Sequence, residues 1–326
     1  MGSSISTTIH SGIKNLMARF FLKVGIFLIL FIACNTAIGN LLDRCVVKNM
    51  DEKLFWSLSQ KGKVFDYAFI GTSRVWDMLD PQIIEEVLGG RAINLACESS
   101  GFDENLFVLR KLVASNTIKA LLVQVDPFIL SRAPSLKYHV VMPYVNDPAA
   151  QDIVLDNFLR DNIHPIRLFF WRKFPFLKYM EFNYHYCSYL QALFGRKIND
   201  FDATQGYRFI ADDTLQEAFT FEERALVQDP FSVKYLHRIA AFAREHGIRL
   251  VFYTAPILMS PETKPGLEGM TDIISQIAKQ DGVTYINMME LKDVQQKQLW
   301  LDISHLKKSG AAMASKLLAE SLKSIL

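Results

Sequence analysis

Phe69-Ile70-Gly71-Thr72-Ser73-Arg74 is the stretch on which the reading of this chain turns. Val64–Ile70 (VFDYAFI) has the length and apolar content of a buried strand, and Gly71-Thr72 breaks it into a tight turn that ends on Ser73. In open α/β sheets, chemistry sits outside the carboxyl ends of the strands. A serine hydroxyl there is a weak nucleophile until a base takes its proton, and the base needs a group that orients it. Near the other end of the chain stands Leu301-Asp302-Ile303-Ser304-His305-Leu306, a carboxylate three residues before a histidine and just ahead of a final helix. Ser73, His305 and Asp302 therefore supply nucleophile, base and orienting acid.

Working outward, five apolar runs read as buried parallel strands: Val64–Ile70, Ala92–Cys97, Ala120–Val125, Arg249–Tyr253 and Thr284–Met288. Helical patterns at Asp80–Leu88, Glu104–Ser115, Ser232–His246, Gly269–Gln280 and Gly310–Leu326 lie between or after them. Gly247 stops the third of these, and Ser309 is the expected N-cap of the last. Strand–helix alternation predicts an α/β fold: a three-layer α/β/α, doubly wound parallel sheet of about five strands. Residues 127–231 interrupt the alternation and are too long for a loop, so they are expected to hold structure of their own. Within them, Arg167–Leu193 (RLFFWRKFPFLKYMEFNYHYCSYLQAL) is densely aromatic and basic. It reads first as a cap whose aromatics pack inward, and second as a surface against a bilayer or a membrane protein.

The chain of 326 residues is half hydrophobic, with a formal net charge of +2. Near-balance of charge gives no nucleic-acid footprint. Val24–Leu42 (VGIFLILFIACNTAIGNLL) carries no charge and is long enough to cross a bilayer. Phe20, Phe21 and Leu22 extend it behind Lys23, and Lys14, Arg19 and Lys23 precede it with no acid among them. That asymmetry predicts a single-pass anchor with the N-terminus in the cytoplasm and the main domain outside. A cleaved signal peptide and, further off, a lipoprotein site at Cys34 are the competing readings. The run is long for the first, and no small-x-small cleavage site follows it. The expected organisation is a cytoplasmic tail (1–19), a transmembrane anchor (20–42), a stalk (43–63) and an extracytoplasmic domain (64–326) with the insertion at 127–231. The four cysteines (Cys34, Cys45, Cys97, Cys187) and the scattered histidines lack metal-ligand spacing, so neither metal nor cofactor is expected.

The two motifs together resemble the SGNH/GDSL hydrolase superfamily, whose nucleophilic serine follows the first strand and whose Asp-x-x-His lies near the C-terminus. The resemblance covers most of residues 64–326. It implies a Ser73–His305–Asp302 triad and an oxyanion hole that begins with the Ser73 backbone N–H. The superfamily's second donor is a glycine after the second strand. Counting from Asn94 puts Ser99 at that position, with Gly101 the nearest glycine. The third donor is an asparagine in a Gly-x-Asn-Asp motif, where this chain has Gln124-Val125-Asp126-Pro127. Gln124 or Asn94 is the expected substitute. Gly-Thr-Ser in place of Gly-Asp-Ser, the altered third motif and the anchor narrow the resemblance to one branch: D-alanyl transfer proteins of teichoic acid modification and related polysaccharide O-acetylation proteins. That branch implies transfer of an acyl group onto an envelope polysaccharide, in partnership with a polytopic membrane-bound O-acyltransferase. An extracytoplasmic carbohydrate esterase of the same fold and a non-catalytic glycan-binding or scaffold subunit are the alternatives.

Overall fold

In the computed structural model, which describes residues 3–48, 52–180, 200–217, 226–261 and 264–326, the strands are β1 Val64–Ile70, β2 Ala92–Asn94, β3 Thr117–Gln124, β4 Arg249–Thr254 and β5 Thr284–Asn287. They form one sheet, all parallel, in the order β2-β1-β3-β4-β5. This order leaves the topological switch between β1 and β3. Ile70 pairs with Val123 across it, so the residues following β1 and β3 face each other at the carboxyl edge. β2 stops at Asn94, three residues before the end expected from the sequence, because the Asn94 side chain turns the chain by accepting from Ala96 N–H at 3.1 Å.

Thirteen helices are used below: α1 Ser3–Val47, α2 Lys53–Ser59, α3 Ser73–Met78, α4 Pro81–Leu88, α5 Phe102–Val113, α6 Pro127–Ser131, α7 Tyr138–Val141, α8 Pro148–Arg160, α9 Ile166–Lys173, α10 Pro175–Met180, α11 Pro230–Glu245, α12 Lys264–Asp281 and α13 Lys308–Lys323. α4 and α13 pack on each other, and α5, α11 and α12 pack in succession, giving a helical layer on each side of the sheet. Phe65, Ala68, Phe69 and Ile70 of β1 and Leu121, Leu122 and Val123 of β3 are buried between those layers. Gly247 ends α11 in the left-handed region, at φ 65°. Ser309 is not a cap. Lys307 precedes α13, and Asp212 accepts from Ser309 N–H at 2.9 Å and from its hydroxyl at 2.6 Å, so a carboxylate from a distant segment does the capping.

One expected boundary is corrected. The stretch 43–63 is not a stalk: α2 lies within it, and its Leu54, Phe55 and Trp56 are buried in the main core. Three large apolar side chains buried together make α2 part of the domain. In the insertion, Val140, Val141, Met142, Phe158 and Trp171 join the core cluster that holds the sheet residues, the inward packing of its first reading. Cys187 and the rest of 181–199 lie outside the described residues. α1 contains a stretch, Asn15–Val47, long and apolar enough to cross a membrane by length and composition, with mean hydropathy 2.3, and its apolar window is not buried by the rest of the chain. A signal sequence meets the same criterion.

Candidate active site

Two residues after β1, Thr72 caps α3, its hydroxyl accepting from Arg74 N–H at 3.3 Å. Ser73 is thus the first residue of that helix, and the helix itself offers its N–H no partner. The turn is held from β3. Gln124, fully buried, accepts through Oε1 from Thr72 N–H and from the Thr72 hydroxyl, both at 3.0 Å. A Cβ on Gly71 would fall 2.7 Å from Gln124 Oε1 and 2.9 Å from Val75 Cγ2, so only glycine fits there. The next residue, Arg74, points inward. It donates to Asp126 at 2.5 Å and to the carbonyls of Ala255 and Pro256 at 2.8 and 2.6 Å. One buried guanidinium therefore ties the helix that begins at Ser73 to the segments after β3 and β4.

His305 arrives from the other end of the chain. Trp300 and Leu306 form an antiparallel bridge, Leu301 N–H donates to His305 O at 2.9 Å, and Leu258 N–H donates to Ile303 O at 2.9 Å. The loop is closed at its neck and pinned to the segment after β4. Within it, Asp302 Oδ1 accepts from Ser304 N–H (2.6 Å), His305 N–H (2.8 Å) and the Ser304 hydroxyl (3.0 Å). Its Oδ2 lies 2.7 Å from His305 Nδ1, and His305 Nε2 lies 2.9 Å from Ser73 Oγ. Burial pushes the Asp302 carboxyl up, but the His305 hydrogen bond and the two backbone N–H donors outweigh it and hold the group down to about 2. An ionised Asp302 accepts from Nδ1–H. Nε2 is then the acceptor for the Ser73 hydroxyl proton.

The sequence-predicted residues divide into three groups. Ser73, His305 and Asp302 come together in one hydrogen-bonded line. Cys97 N–H donates to Gly71 O at 3.3 Å, which lays the following turn, with Ser99 and Gly101, beside the Ser73 turn. Ser99 has φ 49°, the left-handed geometry that glycine ordinarily serves. Lys137 clamps this turn from the insertion, donating to Glu98 O at 2.6 Å and pairing with Glu104 at 2.9 Å, while the Ser100 hydroxyl donates to Glu104 at 3.1 Å. Gly101 starts α5, and a Cβ there would strike the Asp103 carboxylate. Asn94 and Gln124 are not free donors. Asn94 Nδ2 is committed to Val75 O and Leu79 O at 2.9 and 2.8 Å, and Gln124 Nε2 to Asp126 at 3.2 Å. Both are fully buried braces of the α3 region, because a buried amide at a strand end must satisfy all its polar atoms and the nearest partners are backbone and Asp126.

No family model matches the chain, and no curated protein does. Among solved structures, a lipolytic protein of the G-D-S-L family from Desulfitobacterium hafniense is similar over 79% of this chain and 98% of its own, at 9% identity and a TM-score of 0.38. An active-site mutant of a family two carbohydrate esterase from Clostridium thermocellum is similar over 82% of this chain and 64% of its own, at 9% identity and a TM-score of 0.33. Likeness this distant carries no argument about activity. The α/β class stands on the sheet itself, and the chemistry has to be argued from the side chains.

Several residues at the site escaped the sequence reading. Ser304 shares the Asp302 carboxylate, and a hydroxyl between the Asp and His was a visible but unspecific signal. The Arg74–Asp126 pair was signalled by two opposite charges, each next to a strand end expected to be buried. Their side chains are 5% and 3% exposed. Arg208 gave no signal. It pairs through two nitrogens with Asp77 at 2.5 and 2.7 Å and lies 4.1 Å over the Trp76 ring. Burial raises the carboxyl of Asp77, which lies on the helix that begins at Ser73, against the lowering effect of the Arg208 hydrogen bonds.

Proposed function

We propose that this chain is a membrane-anchored serine acyltransferase that places O-acyl groups on a cell-envelope polysaccharide through an acyl-enzyme on Ser73. The observation that carries the reading is the continuous Ser73–His305–Asp302 hydrogen-bond line at the switch point of the sheet. In the first half-reaction, Ser73 Oγ bonds to the acyl carbonyl carbon as its proton passes to His305 Nε2. The tetrahedral oxyanion is met by the Ser73 N–H and by N–H groups of the Ser99–Gly101 turn, an arrangement in which each donor contributes roughly 3 kcal/mol in characterised sites. The bond to the donor's leaving oxygen breaks, and that oxygen takes the proton from Nε2. In the second half-reaction, an acceptor hydroxyl gives its proton to Nε2 and attacks the Ser73 ester. Ser73 then leaves and recovers the proton. With a sugar hydroxyl as acceptor this is transfer, and with water it is ester hydrolysis. Asp302 stays ionised throughout and holds the imidazole.

The transferase side of this reading draws on the resemblance set out above and on the apolar helix α1. Together they suggest a membrane-bound O-acyltransferase as the partner that delivers the acyl group and an extracytoplasmic domain that receives it. The second reading, a carbohydrate esterase, uses the same triad. Both make Ser73 indispensable. Ser73→Ala should abolish ester-linked acyl groups on isolated envelope polysaccharide at equal protein level and unchanged thermal stability, a rate loss on the order of a million-fold where triads have been dissected. Normal acylation in Ser73→Ala cells would make the serine structural. If deletion of the gene raised acylation, and the purified chain cleaved small acetyl esters, the esterase reading would replace the transferase one.

A further inference from the structure

The contact between α1 and the insertion has a depth. Asn35 and Gly39 lie inside the uncharged run Val24–Leu42, seven and three residues from its C-terminal end, which at 1.5 Å per residue is about 10 and about 5 Å. α10 begins against these two residues. A Cβ on Gly39 would fall 2.6 Å from Pro175 Cβ, so the two backbones touch as only a glycine allows. Asn35 Oδ1 accepts from Phe176 N–H at 3.3 Å. That N–H is in the first turn of α10 and has no partner in its own helix. A side-chain amide supplied to it from an apolar helix is what hydrocarbon surroundings require, since no water is there to do so. One turn further along α1, Asp43 pairs with the fully buried Lys178 at 2.7 Å and accepts from the Tyr179 hydroxyl. The charges thus sit at the end of the apolar run and the apolar contacts within it.

α9 leads directly into this corner. Leu168 and Trp171 face inward, and Trp171 packs on Phe158 and Tyr138 with ring centroids 5.4 and 6.0 Å apart. Ile166, Phe169 and Phe170, at helical spacing, stand outward at 54%, 53% and 43% exposure. Arg172 and Lys173 are exposed beside them.

We infer that α9 and the α9–α10 corner lie in the bilayer, in the leaflet at the C-terminal end of α1, with Ile166, Phe169 and Phe170 against acyl chains and Arg172 and Lys173 at anionic headgroups. The inference rests on α1 being a retained span. If α1 crosses the membrane, the part of the chain that touches Asn35 and Gly39 is carried below the headgroups with it. The apolar outward face is then opposite lipid rather than water. The domain is consequently held by two elements, a span and a partly sunken helix, and cannot swivel freely on its anchor.

Site-specific photocross-linking of the full chain in its native membrane tests this. A benzophenone side chain is placed in turn at Phe27 on the span, at Phe170, and at Leu215, an exposed position remote from the span in sequence. The expected result is lipid adducts at Phe170 in a yield comparable to that at Phe27, with little or none at Leu215. Lipid adducts at Phe27 together with no adduct at Phe170, or with a discrete protein adduct there, would overturn the inference and leave the anchor and the proposed chemistry untouched. No lipid adduct at Phe27 would overturn the span and the inference together.

Discussion

Asp302 uses its two oxygens for different ends. Oδ2 orients His305, and Oδ1 gathers Ser304 and the loop backbone. Asp302→Asn separates the two roles. The amide oxygen can still accept from the loop, but an NH₂ opposite Nδ1 forces the other tautomer, with the proton on Nε2 and no base for Ser73. Acyl transfer should fall on the order of 10⁴-fold, as in serine-protease triads, with little change in fold. Steady-state kinetics beside a thermal melt checks this, and an active Asp302→Asn protein would remove Asp302 from the mechanism. The same carboxylate has a stability signature. Its folded value lies below the usual 3.8, so its contribution is present above about pH 4 and is lost as pH falls through about 2. Asp302→Asn should flatten that part of the acid-unfolding curve, whereas Ser73→Ala should not.

Three elements converge on the Gly71–Arg74 turn: β1 delivers it, β3 braces it through Gln124, and the segment after β4 receives Arg74. Two substitutions test the convergence. Gly71→Ala puts a methyl into the Gln124 and Val75 side chains and should cost about 1–3 kcal/mol as overpacking, with a disproportionate fall in activity because Ser73 moves with the turn. Arg74→Leu leaves Asp126 buried without its partner, a loss of about 3–5 kcal/mol in comparable sites. Arg74→Leu combined with Asp126→Leu should recover part of it, measured by denaturant midpoint. An additive double variant would mean the pair does not couple. These elements also show where the sequence was legible. β1 was readable end to end because a seven-residue run, apolar but for Asp66, met an abrupt Gly-Thr turn, and Ser73 and the Asp302–His305 pair were readable because their spacing to that strand and to the last helix is local. Asn94 and Gln124 were misassigned because an amide at a strand end reads the same whether it faces a ligand or a neighbouring carbonyl. Only the pairing of β1 with β3 and the turn after β2 decide which. The Ser309 cap failed for a related reason: the carboxylate that took the role, Asp212, lies about a hundred residues away, beyond any local signal.

At the scale of the whole molecule, residues outside the sheet bind its carboxyl edge to α2. Lys53 on α2 is 2% exposed. Its ammonium donates to Asn94 O at 2.5 Å and to Gly206 O, and it is ringed by Trp56, Phe201 and Trp76 at 4.7, 5.3 and 5.8 Å. A single side chain thereby joins α2, the end of β2, the 200–208 segment and the helix that begins at Ser73. The linkage was illegible in sequence, since a lysine after Asp51-Glu52 reads as a solvated charge, and the glycine that admits it, Gly206, lies 153 residues on. Burial pushes the Lys53 ammonium down to about 7, with Cys97 and Asp77 opposing the fall and Arg208 adding to it. Because the folded value lies below the unfolded 10.5, the unfolded chain binds the extra proton between about pH 7 and 10.5, and the Lys53 contribution to stability rises with pH across that window. Lys53→Met keeps the stem and removes the titration. The wild-type chain in detergent should therefore melt at a higher temperature at pH 9 than at pH 7.5, and Lys53→Met should lose that difference while remaining folded. A Lys53→Met protein with the same rise would assign the pH dependence elsewhere. If the rise vanished while activity at pH 7.5 stayed unchanged, Lys53 would hold α2 in the domain without steering the α3 turn. A rise that vanished together with activity would show that the packing of α2 sets the position of Ser73.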